Sequence, residues 1–221
     1  MKLNGRKYTG DLDNNQLYIV DDTMTLSVDE KQEDGSCDYV ECHFKGKGES
    51  YFCKEYRPSQ SPKNGHKAAD ILYIRLDDKA YISIYDIKRS FNNDDEILHF
   101  IEQINTTYYD AKGTVCFAKY DDEQCQYKIG VITSDFDKEA IEKQRDYYLD
   151  LSSKNKEMMQ NSSTVLKKVA SAKIINANIR YKMLKAIADN KIILNDGKEY
   201  ELDVQIMHPV TNGYKSCILF S

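Results

Sequence analysis

The chain opens with short apolar stretches broken by turn residues, the pattern of consecutive strands. "QLYIV", "TMTLSV", "DYVECHF" and "SYFCKEY" all fall within the first 56 residues, with Asp, Asn and Gly between them. "RPSQSPKNGHK" (57–67) holds two Pro, two Ser, Gly and Asn, which predicts a loop and the best boundary. Next, "DILYIRL" (70–76) is a nearly continuous apolar run, suited to a strand covered on both faces. "DDK" turns the chain into "AYISIYDIK" (80–88).

From there the spacing becomes helical. Ile97, Phe100, Ile101, Ile104 and Tyr108 fall on one face, and Asn93 can cap the helix with Glu96 three residues on. Asp94 and Asp95 lie beside the positive end of its dipole. "GTVCFAKY" and "QYKIGVITS" predict two further strands, and helices are predicted at about 137–159 and 163–189. "KIILNDGKEYELDVQI" predicts a hairpin turning at Asn195-Asp196-Gly197, and "KSCILF" a last strand. This order predicts an α+β fold with a mixed central sheet flanked by helices. It divides into a β-rich N-terminal part (1–56), a core (57–135) and a helical region with a C-terminal hairpin (136–221), either as separate parts or as one compact domain.

Composition adds limits. With 221 residues, 30% charged and 41% hydrophobic, the chain suits a globular fold able to bury a sizeable core. No apolar run approaches the roughly 20 residues of a membrane span. "MKLNGRKYTG" lacks the apolar core of a signal peptide, so a cytoplasmic location is expected. The six Cys form no CxxC pair, which favours free thiols. Cys37, Cys42, His43 and Cys53 match no familiar zinc spacing. His43, His66, His99 and His208 form no metal cluster by spacing, and the 17 Tyr suit a core that has no Trp. There is no GxSxG, Walker loop or HExxH.

Net charge is −5, but its distribution is uneven. Residues 11–34 hold eight acidic groups against one Lys, whereas 163–192 hold seven Lys or Arg against Asp189 alone. Lys67 belongs to a second basic stretch at 43–68. Lys67, Lys167, Lys168, Lys173 and Arg180 are thus candidate phosphate-backbone contacts, against the alternative of solvated basic faces.

The most specific chemistry lies at 70–88. Residues two apart in a strand share a face, so Ile82, Ile84, Asp86 and Lys88 point one way and Tyr81, Ser83, Tyr85 and Ile87 the other. If the two strands form a hairpin, Asp70 meets Asp86 and Lys88 at one end. Two carboxylates there can hold Mg²⁺ through oxygen. Acidic-x-Lys triplets also start at Asp29, Asp77, Asp110, Asp189 and Asp196, so the triplet alone carries little. Asp86 is set apart by its strand, the Asp opening the strand before it, and the capped helix after it.

This arrangement resembles the PD-(D/E)xK nuclease superfamily, the restriction-endonuclease-like fold, over roughly residues 60–135. The resemblance implies that Asp70 and Asp86 ligate Mg²⁺ or Mn²⁺ and that Lys88 is the catalytic lysine. It implies second-shell roles for His99 and Gln103. It also implies a further acidic ligand from upstream, for which Glu41, Glu49 and Glu55 are candidates, with Glu49 carried forward. Residue 69 is Ala rather than the Pro that names the motif. The implied function is a metal-dependent nuclease acting on DNA in preference to RNA, in restriction, antiviral defence or repair, as a homodimer or in a larger complex. The alternative is a non-catalytic interaction or nucleic-acid-binding module in which Asp86–Lys88 is a structural ion pair.

Overall fold

The computed structural model describes residues 17–32, 34–46, 48–54, 68–160 and 164–221. Its long strands begin where the apolar runs begin. β1 (Leu17–Val20), β2 (Thr25–Lys31), β3 (Cys37–Phe44) and β4 (Glu49–Lys54) precede the pair β5 (Ile71–Leu76) and β6 (Ala80–Ser90). Helix α1 (Asp94–Phe117), a 3₁₀ turn at Asp122–Gln124 and β7 (Cys125–Asp135) follow. Two helices, α2 (Lys138–Gln160) and α3 (Thr164–Ala188), lead to β8 (Lys191–Ile193), β9 (Glu199–Ile206), β10 (His208–Val210) and β11 (Gly213–Phe220). The fold is α+β, with two mixed sheets and three α-helices among the described residues.

The larger sheet has seven strands in the order β1-β4-β5-β6-β7-β9-β8. The β4, β5 and β6 neighbours are antiparallel, with only residues 77–79 between β5 and β6, while β6–β7 and β7–β9 are parallel. Parallel pairing needs a long crossover, which α1 supplies in one case and α2 with α3 in the other. The smaller sheet, β10-β11-β3-β2, joins the two ends of the chain, because β11 runs parallel to β3. The N-terminal strands are therefore divided between both sheets, with β1 and β4 beside the hairpin and β2 and β3 beside the C-terminal strand.

Each face of the seven-stranded sheet has its own core. Leu72, Ile74, Ile82, Ile84, Ile129 and Val131 pack with Ile97, Phe100, Ile104 and Tyr108 of α1 and with Leu184 and Ile187 of α3. Ile71, Tyr73, Tyr85, Ile87 and Ile132 pack instead with Val28, Val40, Phe44, Ile218 and Phe220 of the smaller sheet. Helices thus cover one face and a sheet the other, where the sequence predicted helices around the sheet. Strand β5 is buried at every position but Arg75, the two-sided cover that its unbroken apolar run requires. Strand β3 alternates instead, burying Asp38, Val40, Cys42 and Phe44.

One predicted strand is helix. "GTVCF" forms the last turns of α1, because the 3–4 spacing of Ile97, Phe100, Ile104, Tyr108, Ala111 and Val115 carries the apolar stripe through to its end. The β-branched pair Thr114-Val115 imitates a strand, but burial of Val115 in the helix-side core overrides that preference. Asn93 caps α1 as predicted, its Oδ1 accepting from the Glu96 amide at 2.9 Å. The 195–197 turn joins β8 to β9, with Gly197 at φ +81°. Gly213 at φ +135° opens β11 against the backbone of Cys37, where a Cβ would lie 2.1 Å from the Cys37 carbonyl oxygen. No described helix is long and apolar enough to cross a membrane.

Candidate metal centre

The hairpin register decides which side chains meet. Ile71 pairs with Tyr85 in the antiparallel β5–β6 ladder, so Asp70, one residue earlier, falls opposite Asp86. Asp70 is fixed there by its own hydrogen bond, Oδ2 accepting from the Ile87 amide at 2.7 Å. Asp86 is fully buried. The Lys88 Nζ lies 2.5 Å from its Oδ2, with the Lys88 side chain 15% exposed. Like charges facing each other across a ladder repel, so this placement works against stability unless a cation answers it.

Glu30 is the residue that sequence did not assign. It sits near the end of β2, opposite Asp38 of β3, in the register that also buries Val28 and Val40 on the sheet's inner face. That alternation turns its carboxylate toward the large sheet. Burial first, and then the Asp70 charge, push its carboxyl up to about 7, while Lys88 pulls the other way. Burial and then Asp70 likewise raise the Asp86 carboxyl well above its ordinary range. Burial would lower the Lys88 ammonium, but Asp86, Asp70 and Glu30 together hold it above its usual value. Arg89 does not relieve the site, since it pairs with Asp34 at 2.8 Å and approaches Asp38 at 3.9 Å.

Asp70 and Asp86 lie beside Lys88, and Glu30, from the sheet on the other face, feels Asp70 and Lys88 but not Asp86, so three carboxylates share the field of one ammonium. Fully ionised, they leave two negative charges uncompensated, and burial makes the site take up protons instead. The Glu30 Oε2 and both Asp86 oxygens are buried with no hydrogen bond among the described residues, although Asp86 keeps its Lys88 ion pair. Orphaned oxygens on Asp86 beside Asp70 are the donor type a small hard divalent cation takes, but Glu30, Asp70 and Asp86 do not bring three oxygens within 4.8 Å of one another; among the described residues only Glu41, His43 and Cys217 gather ligand atoms that closely.

Helix α1 grips the backbone just before Asp70. Gln103 Nε2 donates to the Ala68 carbonyl at 3.0 Å, and the Ala69 amide donates to Thr107 Oγ1 at 2.9 Å. Gln103 and Thr107 are one turn apart, so one helix face clamps two successive residues. Gln103 thus positions Asp70 through the chain, and Thr107, missed in the sequence, shares the task. His99 is half-buried one turn earlier on α1.

The other sequence candidates lie elsewhere. Glu49 opens β4 opposite Leu76, at the far end of β5, about 20 Å along the strand from Asp70. Its carboxylate accepts from the Tyr51 hydroxyl at 3.0 Å. Glu41 lies on β3 and pairs with Lys215 at 2.8 Å. Glu55 and Lys67 lie outside the described residues. Lys167, Lys168 and Lys173 are exposed on the N-terminal half of α3. Arg180 is committed to the start of α1, bridging Asp94 and, at 3.0 Å, Asp95, so it is not free for phosphate. Cys42 and Cys53 are buried in opposite cores, and burial pushes both thiols up to about 12. With Cys42 and His43 on opposite faces of β3, the Cys37–Cys42–His43–Cys53 set does not converge.

A pattern search for Glu30 had one usable signal, an acidic residue ending an alternating strand. Its own Asp29-Glu30-Lys31 triplet, one of several acidic-x-Lys matches, concealed it. No family model, curated protein or solved structure matches this chain.

Proposed function

We propose that this chain is a divalent-metal-dependent nuclease of the PD-(D/E)xK kind, hydrolysing phosphodiester bonds in DNA in preference to RNA. The observation that carries the proposal is the pair of carboxylates beside a single lysine: Asp70 and Asp86 opposed across a hairpin, with Lys88 at 2.5 Å from Asp86. The order hairpin, helix, parallel strand that surrounds it supports that reading.

Asp70 and Asp86 would hold the cation, with Glu30 adding negative charge nearby. Once held, such an ion polarises phosphoryl oxygens and lowers the pKa of water in its coordination shell. Lys88 stays an ammonium through neutral pH, because its carboxylate neighbours hold its proton. As an ammonium it would stabilise charge on the phosphate and donate a proton. Gln103 and Thr107 keep Asp70 in register, and the ladder with β7 does the same for Asp86. Exposed Lys167, Lys168 and Lys173 add sequence-independent phosphate contacts. Two-strand cleavage by so small a unit calls for a homodimer or a larger assembly, and a cytoplasmic role in restriction, antiviral defence or repair belongs to the same proposal.

A second reading has its own observation, the buried Lys88–Asp86 pair at 2.5 Å. In a non-catalytic interaction module that pair is structural, and breaking it costs stability alone. Incubating the protein with plasmid DNA and with single-stranded RNA, in Mg²⁺, Mn²⁺ or EDTA, separates the two. Metal-dependent cutting that Asp86→Ala and Lys88→Ala both abolish supports the nuclease. Destabilised variants of a protein that never cuts support the module.

A further inference from the structure

The outer face of the smaller sheet carries a second cluster of different chemistry. Cys217 of β11 lies directly opposite Glu41 of β3 in the parallel ladder, and His43 is two residues further along the same face. One ligand atom from each of Glu41, His43 and Cys217 lies within 4.8 Å of the other two. On the third strand, Thr25 pairs with His43, and its hydroxyl stands 3.2 Å from His43 Nδ1. The three ligands thus come from adjacent, hydrogen-bonded strands, with the imidazole oriented by a neighbour, as ligating histidines commonly are.

We infer that Glu41, His43 and Cys217 form a binding site for a borderline-soft divalent cation of the Zn²⁺ type, distinct from the all-oxygen carboxylate site. A thiolate, an imidazole and a carboxylate supply the three donor types that Zn²⁺ takes, with water completing a tetrahedron. Tetrahedral coordination brings such donors to roughly 3–4 Å of one another, so side-chain rotation closes the observed gap. Mg²⁺ gains nothing from sulfur and is excluded by donor type. Lys215 bonds Glu41 Oε2 at 2.8 Å and keeps that carboxyl below its ordinary value, leaving Oε1 as the metal's oxygen. Cys217 is exposed, whereas Cys42, in the buried register of the same sheet, is closed to metal. The ion ties β11 to β3, the pairing that holds the C-terminal strand in the sheet bearing Glu30. The site stands independently of the nuclease proposal.

Co²⁺ tests it, because Co²⁺ takes zinc geometries and gives an intense thiolate-to-metal absorption that carboxylate sites lack. Titrating the full chain with Co²⁺ should produce that band at one equivalent, and Zn²⁺ should remove it. Cys217→Ser should abolish the band, and His43→Gln should weaken binding by about tenfold or more. The Asp70→Asn/Asp86→Asn double variant should keep the band. Zn²⁺ should raise the melting temperature of the Asp70→Asn/Asp86→Asn variant and not that of the same variant carrying Cys217→Ser. No thiolate band, or a band that survives Cys217→Ser, overturns the assignment.

Discussion

The Asp70 carboxylate accepts a 2.7 Å hydrogen bond from the amide of Ile87, the residue between Asp86 and Lys88. The side chain that opens one strand is thereby locked to the end of the next. Asp86 meets Asp70 across the ladder and Lys88 along its own strand, and the geometry of the acidic site follows from that one bond.

Glu30 should report on the site's charge through stability. Its folded-state carboxyl near 7 lies above the usual 4.5, so the folded protein holds the extra proton between those values. Metal-free stability therefore falls as pH rises from 4.5 through 7. Glu30→Gln should stabilise the metal-free protein at pH 8 by about 1–2 kcal/mol, after discounting for solvent screening. The gain should shrink as pH falls through the folded value and vanish below the unfolded one. Urea melts of both proteins across this range, in EDTA, measure it; a pH-independent difference removes Glu30 from the site.

Cation binding should displace protons. Because burial and Asp70 raise the Asp86 carboxyl, Mg²⁺ or Mn²⁺ must compete with a proton for its oxygens. Affinity should rise with pH by up to about tenfold per pH unit for each proton displaced. Calorimetry in two buffers of different ionisation enthalpy reads the released protons directly. Zero proton release at pH 6 contradicts this coupling.

Lys88→Met should leave Asp86 without its ammonium. A carboxylate so buried then takes up a proton, and removing one partner of a buried pair costs about 3–5 kcal/mol when the remaining charge persists. The loss should be largest at high pH, where ionised Asp86 is left alone, and smallest in acid. Thermal melts at pH 5 and pH 9 give the contrast. Equal losses at both would mean that the pair carries little of the site's charge balance.

Thr107→Val removes the acceptor for the buried Ala69 amide and should cost about 1–3 kcal/mol. If the clamp positions Asp70, cleavage should fall further than the lost stability explains, and Thr107→Ser should restore both. Metal affinity measured by thermal shift gives the second readout, since a loosened Asp70 binds the cation less well. Full metal affinity in a destabilised Thr107→Val protein would confine Thr107 to a packing role.

Much of the local structure is written in the chain itself. The unbroken apolar run of β5, the alternating face of β6, the Asn93 cap and the Asn-Asp-Gly turn all depend on near neighbours. So does the meeting of Asp70 with Asp86, because a short hairpin leaves little choice of register. Two features needed the tertiary structure. The end of α1 looks like a strand by composition, and only the core that buries Val115 makes it helix. Glu30 lies 40 residues before Asp70 and belongs to a different sheet. That sheet exists because β11, from the other end of the chain, pairs with β3, and Cys217 meets Glu41 and His43 for the same reason. Pairing between distant segments is fixed by the burial of whole faces, and no local spacing encodes it.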